Sequence, residues 1–401
     1  MLVSSGKGNS DDLLHSSHTA GLSPEDRNLA TTLVLGTLRW QIAMDALIRA
    51  LLQRPGQRLM EPVAVALRMG AFQLLHLDRV PPHAAINESV ELVRASGNPH
   101  ATGMVNAILR KVMTQRVPGI PIYESVAAFA ERLSHPEWLV ERWAANYGRA
   151  AAQRICEAGQ RAPAVPELFT DSALPDMPRM DDGSRLVAEL AAASLPNAHR
   201  IWDTCAAPGG KALILARRLP MAEVWATDVN AKRLAAMRAR IMDFSFAAAM
   251  HLDVMDATIP PASLGSFDLI LADVPCSGTG TLARNPEIRL RLTPEDLSRH
   301  ASRQRKILSA ALMYLKPGGR LLYSTCSLEP EECERVVEAV LAEKRFAEVV
   351  RVVSVEPLLN ELDRKGLLAQ RLEGAVVGWH LRTLPGVNPG DGFFAALLER
   401  V

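Results

Sequence analysis

Two cysteines stand in matching settings fifty residues apart. In "ILADVPCSGTG" an apolar run ends at Asp273, a proline stops the chain, and Cys276 is presented before a turn of small residues. In "LLYSTCS" a second apolar run delivers Cys326. A thiolate is suited to one demanding reaction, the alkylation of cytosine at C5. That carbon is a poor nucleophile until sulfur adds to C6 and gives the ring enamine character. A base must afterwards remove the C5 proton so that the sulfur can leave. One group attacks and another assists release, so a pair of thiols meets the need, and spacing alone leaves the two roles interchangeable. Asp273 is placed to hold the N3 edge of the base and keep that nitrogen protonated. A free thiol ionises near ~8.5, so the attacking sulfur needs local stabilisation.

A second group of residues suits a nucleoside cofactor. "DTCAAPGGK", residues 203–211, combines small residues with two glycines, which lets a ligand approach the backbone and the start of the following helix. The turn is neither a dinucleotide fingerprint nor a magnesium-binding phosphate loop, because Ala212 stands where the latter needs Ser or Thr. Asp228 ends the next apolar run, where an acid accepts ribose hydroxyls. Asp256 ends the one after and is placed for an adenine amino group, with Asp253 ranked behind it. Each acid alone reads as a solvated loop residue. Three acids at successive strand ends beside one glycine loop point to an adenosine-bearing cofactor without a phosphate cage, S-adenosylmethionine before NAD or ATP.

The elements that must position these residues follow from periodicity. Residues 1–130 read as a helical bundle: Ser23 caps a helix opened by Pro24, and Val63, Leu67, Gly70 and Leu74, then Ile86, Val90 and Val93, recur at helical spacing. Residues 131–180 read as a helical connector ending in a proline-rich, acidic surface linker. From 181 to 401 strands alternate with helices, which implies a doubly wound parallel sheet whose last two strands, "FAEVVRVV" and "DGFFAALLERV", form a hairpin. In such sheets ligands lie beyond the carboxyl ends of the strands, where both cysteines and all the acids fall.

Composition narrows the class. With 48% hydrophobic and 22% charged residues the chain reads as an ordinary soluble globular protein. A net charge of +1 neither demands nor excludes a polyanionic partner. The 5% aromatic content argues against an extensive base-stacking surface. The first twenty residues contain no apolar core of the signal-peptide kind, and no run is long enough to span a membrane. Five cysteines without disulfide or zinc spacing fit a reducing cytoplasm and no metal. Residues 284–306 hold seven cationic against three acidic side chains, a local surplus suited to phosphates. Arg284, Arg289 and Arg291 begin it, and Arg39, Arg110 and Lys111 are weaker candidates.

"DTCAAPGGK", "DVPCSGTGTLARNPEIR" and "YSTCSLEPEE" together resemble the RNA cytosine-C5 methyltransferases. "DRNLATTLVLGTLRW", "LRMGAFQLL", "VPPHAAINESVELV" and "MVNAILRK" resemble the NusB-like RNA-binding domain. The pairing is similar to bacterial 16S ribosomal RNA cytosine-C5 methyltransferases of the cytosine-967 type. The resemblance implies an all-α NusB-like bundle followed by a Rossmann-like class I methyltransferase domain. It implies Cys326 as nucleophile, Cys276 as the group that assists release, and S-adenosylmethionine contacts from Cys205, Ala206, Ala207, Pro208, Gly209, Gly210, Lys211, Asp228, Asp256 and Asp273. The partner it implies is 16S ribosomal RNA or an assembly intermediate of the small subunit, met by a monomer. Three features depart from the family pattern: few residues between 150 and 180 for the small subdomain usual there, Leu290 where an aromatic is common, and Cys333 where asparagine is commoner. A scaffold that keeps RNA binding as a ribosome-assembly factor but has lost turnover is the alternative, and an ATP-dependent enzyme using "PGGK" is a third.

Overall fold

Helical spacing and well-placed caps organise the first half of the chain. The computed structural model describes residues 3, 8, 10–14, 16, 19–54, 56–114, 125–163, 165–171, 176–244 and 249–401. It divides into two compact units, Met1–Ala162 with Leu282–Arg291, and Pro163–Thr281 with Leu292–Val401. The first contains helices α1 (Ser10–Leu14), α2 (Pro24–Arg39), α3 (Gln41–Leu51), α4 (Glu61–His76), α5 (Pro82–Ala95), α6 (Thr102–Thr114), α7 (Val126–Arg132), α8 (Glu137–Tyr147) and α9 (Arg149–Gly159). Ser23 caps α2 by accepting the Asp26 N–H at 3.1 Å. The stripe foreseen on α4 and α5 is the core: Val63, Leu67, Ile86 and Val93 are buried with Val105, Leu109 and Val112 of α6. Residues 131–159, expected as a connector, fold as α8, α9 and the end of α7 within this helical unit.

The second unit is built on a sheet with both faces covered. Its elements run α10 (Asp182–Ser194), β1 (Arg200–Asp203), α11 (Gly210–Arg218), β2 (Glu223–Asp228), α12 (Ala231–Ile241), β3 (Met250–Val254) and β4 (Phe267–Asp273). The short α13 (Ile288–Arg291) belongs to the helical unit. Then come α14 (Pro294–Met313), β5 (Leu315–Thr325), α15 (Glu334–Leu341), β6 (Val350–Val353), α16 (Glu356–Arg364), β7 (Val376–Val377), β8 (His380–Arg382) and β9 (Phe394–Arg400). Alternate side chains enter opposite layers. Ile201, Leu269, Leu271, Leu322 and Leu397 pack beneath α10, α11, α12 and α16, while Trp202, Ile270, Leu321, Tyr323 and Leu398 face α14 and α15. Each such aliphatic contributes about 2 kcal/mol by burial, so two-sided coverage holds the strand ends in place.

The strand order β3-β2-β1-β4-β5-β9-β8-β7, with β6 also on β9, makes the sheet mixed rather than wholly parallel. β1 to β5 are parallel, and the partners of β9 run antiparallel to it. The expected hairpin is corrected: β6 does pair with β9, but α16 and the true hairpin β7–β8 lie between them in sequence. α10, absent from the periodicity reading, is buried on nearly every side, so it carries no polar face to betray it. The proline-rich linker is also corrected. Leu168 and Phe169 are buried in the sheet's core, and Thr170 N–H donates to the Leu367 carbonyl at 3.0 Å. Residues 164 and 172–175 of that stretch lie outside the described residues, as does most of the polar stretch before residue 19.

Candidate active site

Two adjacent parallel strands bring the thiols together. β4 and β5 pair with Asp273 beside Ser324, and Cys276 and Cys326 follow a few residues beyond. Their Sγ atoms are 3.3 Å apart, hydrogen-bonded with either thiol as donor. Both are unbridged and half-buried. The loops are tied by backbone: the Gly280 N–H donates to the Cys326 carbonyl at 2.9 Å, and the Gly280 carbonyl accepts from the Gly392 N–H at 2.9 Å. A Cβ on Gly280 would stand 2.1 Å from the Gly392 carbonyl oxygen and 2.9 Å from that of Cys326, so glycine is required there.

Charged groups surround the pair. The Cys276 thiol is held well above its ordinary range, first by its hydrogen bond with Cys326, then by burial, then by the charges of Cys326 and Glu332. Glu332 reaches this loop by accepting the Ser277 N–H at 2.8 Å. Lys211 stands beside Asp273. Burial opposes its ammonium, but the Asp273 carboxylate, 2.9 Å away, prevails with Cys326 adding to it, and its pKa is raised. Asp273 also accepts the Ser324 hydroxyl at 2.7 Å, which leaves it fixed at the mouth of the thiol pair.

The glycine turn follows β1. Gly209 has φ +103°, and a Cβ there would lie 2.8 Å from Met237 Cγ; it starts α11 while keeping the approach to residues 205–210 narrow in side chains. Burial pushes the Cys205 thiol up to about 12, so it stays neutral in this turn. Ala206 and Ala207 are buried, and the Ala207–Pro208 peptide is cis. Asp228 is buried at the end of β2, accepting the Asn230 N–H at 2.8 Å and facing Arg233 at 3.3 Å. Asp256 is exposed two residues beyond β3, its carboxylate accepting the Thr258 N–H at 2.9 Å and hydroxyl at 2.8 Å. Asp253 lies within β3 itself.

Asp203 was not singled out in the sequence. Its carboxylate is 1% exposed at the end of β1, and neither oxygen has a hydrogen-bond partner. Burial, reinforced by the charge of Asp273 and opposed by Lys211 and by the nearby Cys205 N–H, raises its pKa to about 7. A buried carboxylate with only the Cys205 N–H near it, at the start of a glycine turn, suits a ligand that brings a cation or further N–H groups.

The arginines of the cationic segment are spent within the helical unit. Arg289 is buried, donating to the carbonyls of Gly159 at 2.9 Å, Leu282 at 3.2 Å, Ser134 at 3.3 Å and Arg39 at 3.4 Å. Burial brings its pKa down to about 9, with Arg39 adding to the effect. Arg291 donates to the carbonyls of Val3 at 3.1 Å and Gly8 at 2.6 Å. Arg289 is thus sequestered, which does not fit the RNA contact expected of it, whereas Arg291 is half-buried. Arg39 is buried too, on the Ala283 carbonyl at 2.7 Å. Arg284 is half-buried in the same segment. Farther along the stretch, Arg299, Arg303, Arg305 and Lys306 are exposed on α14.

Comparison with known proteins decides the family. Residues 191–399 match the model described as 16S rRNA methyltransferase RsmB/F, and residues 4–114 match the NusB family. The chain belongs to the RsmB/F family. It is similar to ribosomal RNA small subunit methyltransferase B of Xanthomonas campestris pv. campestris, 31% identical over 94% of this chain and 89% of that one. The protein of the same name from Sodalis glossinidius is 33% identical over 94% and 90%. Among solved structures, PH0851 matches with a TM-score of 0.74 at 20% identity over 99% of this chain and 96% of that one. A methyltransferase homolog from Pyrococcus horikoshii matches at 0.54 and 22%, over 70% and 100%. Both support the fold. This RsmB/F-family chain is an rRNA methyltransferase with a helical NusB domain and a Rossmann-like domain. No helix among the described residues is long and apolar enough to cross a membrane, and no group of metal-ligating side chains occurs among them. Cys333, the departure noted in the sequence, is buried and pushed by burial up to about 12.

Proposed function

We propose that this protein methylates C5 of a cytidine in 16S ribosomal RNA, using S-adenosylmethionine and a covalent bond from Cys326 to C6. The observation that carries the reading is the thiol pair, two sulfurs 3.3 Å apart just beyond the ends of neighbouring parallel strands. The names of the curated relatives support the small-subunit RNA as substrate. The sequence resemblance extends the reading to the cytosine-967 type.

The residues present fit the cofactor. The glycine turn leaves backbone accessible, Asp228 and Asp256 supply acceptors for ribose and adenine, and the buried Asp203 calls for the cationic amino-acid end. Cys205 to Lys211 and Asp273 complete the contacts. When bound, S-adenosylmethionine supplies a sulfonium-activated methyl group to the C5 made nucleophilic by Cys326.

The chain's own groups carry the remaining steps. Cys326 acts as a thiolate, whose electron pair forms the bond to C6 while the ring's C5–C6 π electrons move toward C5, N3 and O2. Asp273, held by Lys211 and Ser324, meets the N3 edge of the base. Once Cys326 is a thioether it no longer hydrogen-bonds as an anion to Cys276, and the largest cause of the high Cys276 pKa is gone. Cys276 then yields its proton to solvent, which is the one proton released overall. As a thiolate it takes the C5 proton; the C5–H electrons re-form the C5–C6 double bond, and the C6–S electrons return to Cys326. The pair ends as it began, thiol at Cys276 and thiolate at Cys326.

The test is to incubate the protein with methyl-labelled S-adenosylmethionine and 16S RNA, free and in small-subunit particles, then digest the RNA to nucleosides. Label in 5-methylcytidine is expected. Label in another nucleoside would refute the C5 assignment, and cofactor binding with no label in either RNA would favour the assembly-factor alternative. Exposed Arg299, Arg303, Arg305 and Lys306 of α14 are proposed to meet RNA phosphates; half-buried Arg284, in the helical unit, is a separate candidate.

A further inference from the structure

Glu332 lies six residues beyond Cys326 and is fully buried. Its carboxylate collects donors from both thiol loops and from the helix behind them. Oε1 accepts the Ser277 N–H at 2.8 Å and Gln304 Nε2 at 3.0 Å, and Oε2 accepts the hydroxyls of Ser277 and, at 2.5 Å, Ser327. Gln304 spends its other N–H on the Pro275 carbonyl at 3.0 Å, so the residues on both sides of Cys276 are gripped. The Glu332 backbone carbonyl in turn accepts the buried Tyr323 hydroxyl at 2.7 Å, which ties the backbone of Glu332 to β5. Four donors on one carboxylate, with charge-assisted bonds, make a rigid clamp.

We infer that Glu332 is a positioning residue for the release step: by binding Ser277 and Ser327 together it holds Cys276 where it can take the C5 proton from a base attached to Cys326. The inference rests on the functional reading above. It follows from what else holds each loop. Cys326 is placed by β5 and by the Gly280 backbone bond. The Pro-Cys loop has left β4, and Glu332 and Gln304 hold it on both sides of Cys276.

The test compares four variants by denaturing gel for protein–RNA adduct, alongside steady methyl transfer and melting temperature. Cys276→Ala sets the reference and is expected to accumulate adduct. Glu332→Ala should accumulate it too, with turnover lowered about a hundredfold, the usual cost of misplacing a reacting group by an ångström. Glu332→Gln should regain most of the turnover, because its amide oxygen can take the two N–H donors while the two hydroxyls turn to accept from its nitrogen. Should Glu332→Ala fail to fold, the Ser277→Ala/Ser327→Ala double variant decides, since it removes the bonds to Oε2 and leaves the buried charge with two donors. A merely structural role would lower adduct formation and release together, so a folded variant with reduced turnover and no adduct overturns the inference while Cys276→Ala still traps. Wild-type turnover in folded Glu332→Ala overturns it equally. Absence of adduct in Cys276→Ala instead removes the functional reading, and this inference with it.

Discussion

At the scale of single residues, a buried carboxylate short of donors is a liability that binding can relieve. The folded pKa of Asp203 is about 7 against an ordinary 3.8. Between those values the native chain holds a proton that the unfolded chain has lost. The penalty is therefore absent below about pH 4, grows as pH rises toward 7, and is complete above it, on the order of a few kcal/mol. Asp203→Asn should raise the melting temperature of the cofactor-free protein at pH 8 and change it little near pH 4. The same variant should weaken S-adenosylmethionine binding by calorimetry; equal melting shifts at both pH values would contradict the assignment of cause. Part of this scale was legible in sequence, since Cys276, Cys326 and Asp273 announce themselves by standing at the ends of apolar runs. Arg289 shows the limit. Its charge reads as a phosphate contact, because nothing local reveals that four carbonyls from distant segments converge on it.

At the scale of elements, the site depends on how closely two loops approach. Gly280→Ala would drive a Cβ into the Gly392 and Cys326 carbonyls, which are backbone and cannot rotate away. We expect a loss of about 1–3 kcal/mol in stability, measured by urea unfolding, and a larger fall in turnover than in cofactor affinity. Unchanged turnover would show that the separation of the loops does not matter to the reaction. The alternation of β1, α11, β2, α12, β3 and β4 was readable because buried strands and amphipathic helices have different periods. α10 and β7–β8 were not. The helix is buried almost all round, and the strands β7 and β8 have two and three residues, too few for a period to register.

For the whole molecule, the cationic stretch after the Pro-Cys loop splits by function. Its first part, with Arg289 and Arg291, is structural in the helical unit, and its second part lies exposed on α14. Arg303→Ala/Arg305→Ala should weaken RNA binding and reduce the slope of log affinity against log salt by about 1.5, as expected for two lost phosphate contacts. Arg289→Met should leave that slope unchanged and instead lower stability by about 3 kcal/mol or more, since four buried carbonyls lose their donor. The reverse pattern would restore Arg289 as a nucleic-acid contact. The two-part architecture itself was visible in the change from helical to alternating patterns. The boundary was not, because Leu282–Arg291 returns to the helical unit from the middle of the second domain's sequence.

The measurement that bears most directly on the account is the fate of the adduct when each thiol is removed. Cys276→Ala, incubated with S-adenosylmethionine and 16S RNA, should remain joined to RNA on a denaturing gel, and adding Cys326→Ala should abolish the joined species. Adduct trapped by Cys326→Ala and not by Cys276→Ala would contradict the assignment and exchange the roles of the two sulfurs.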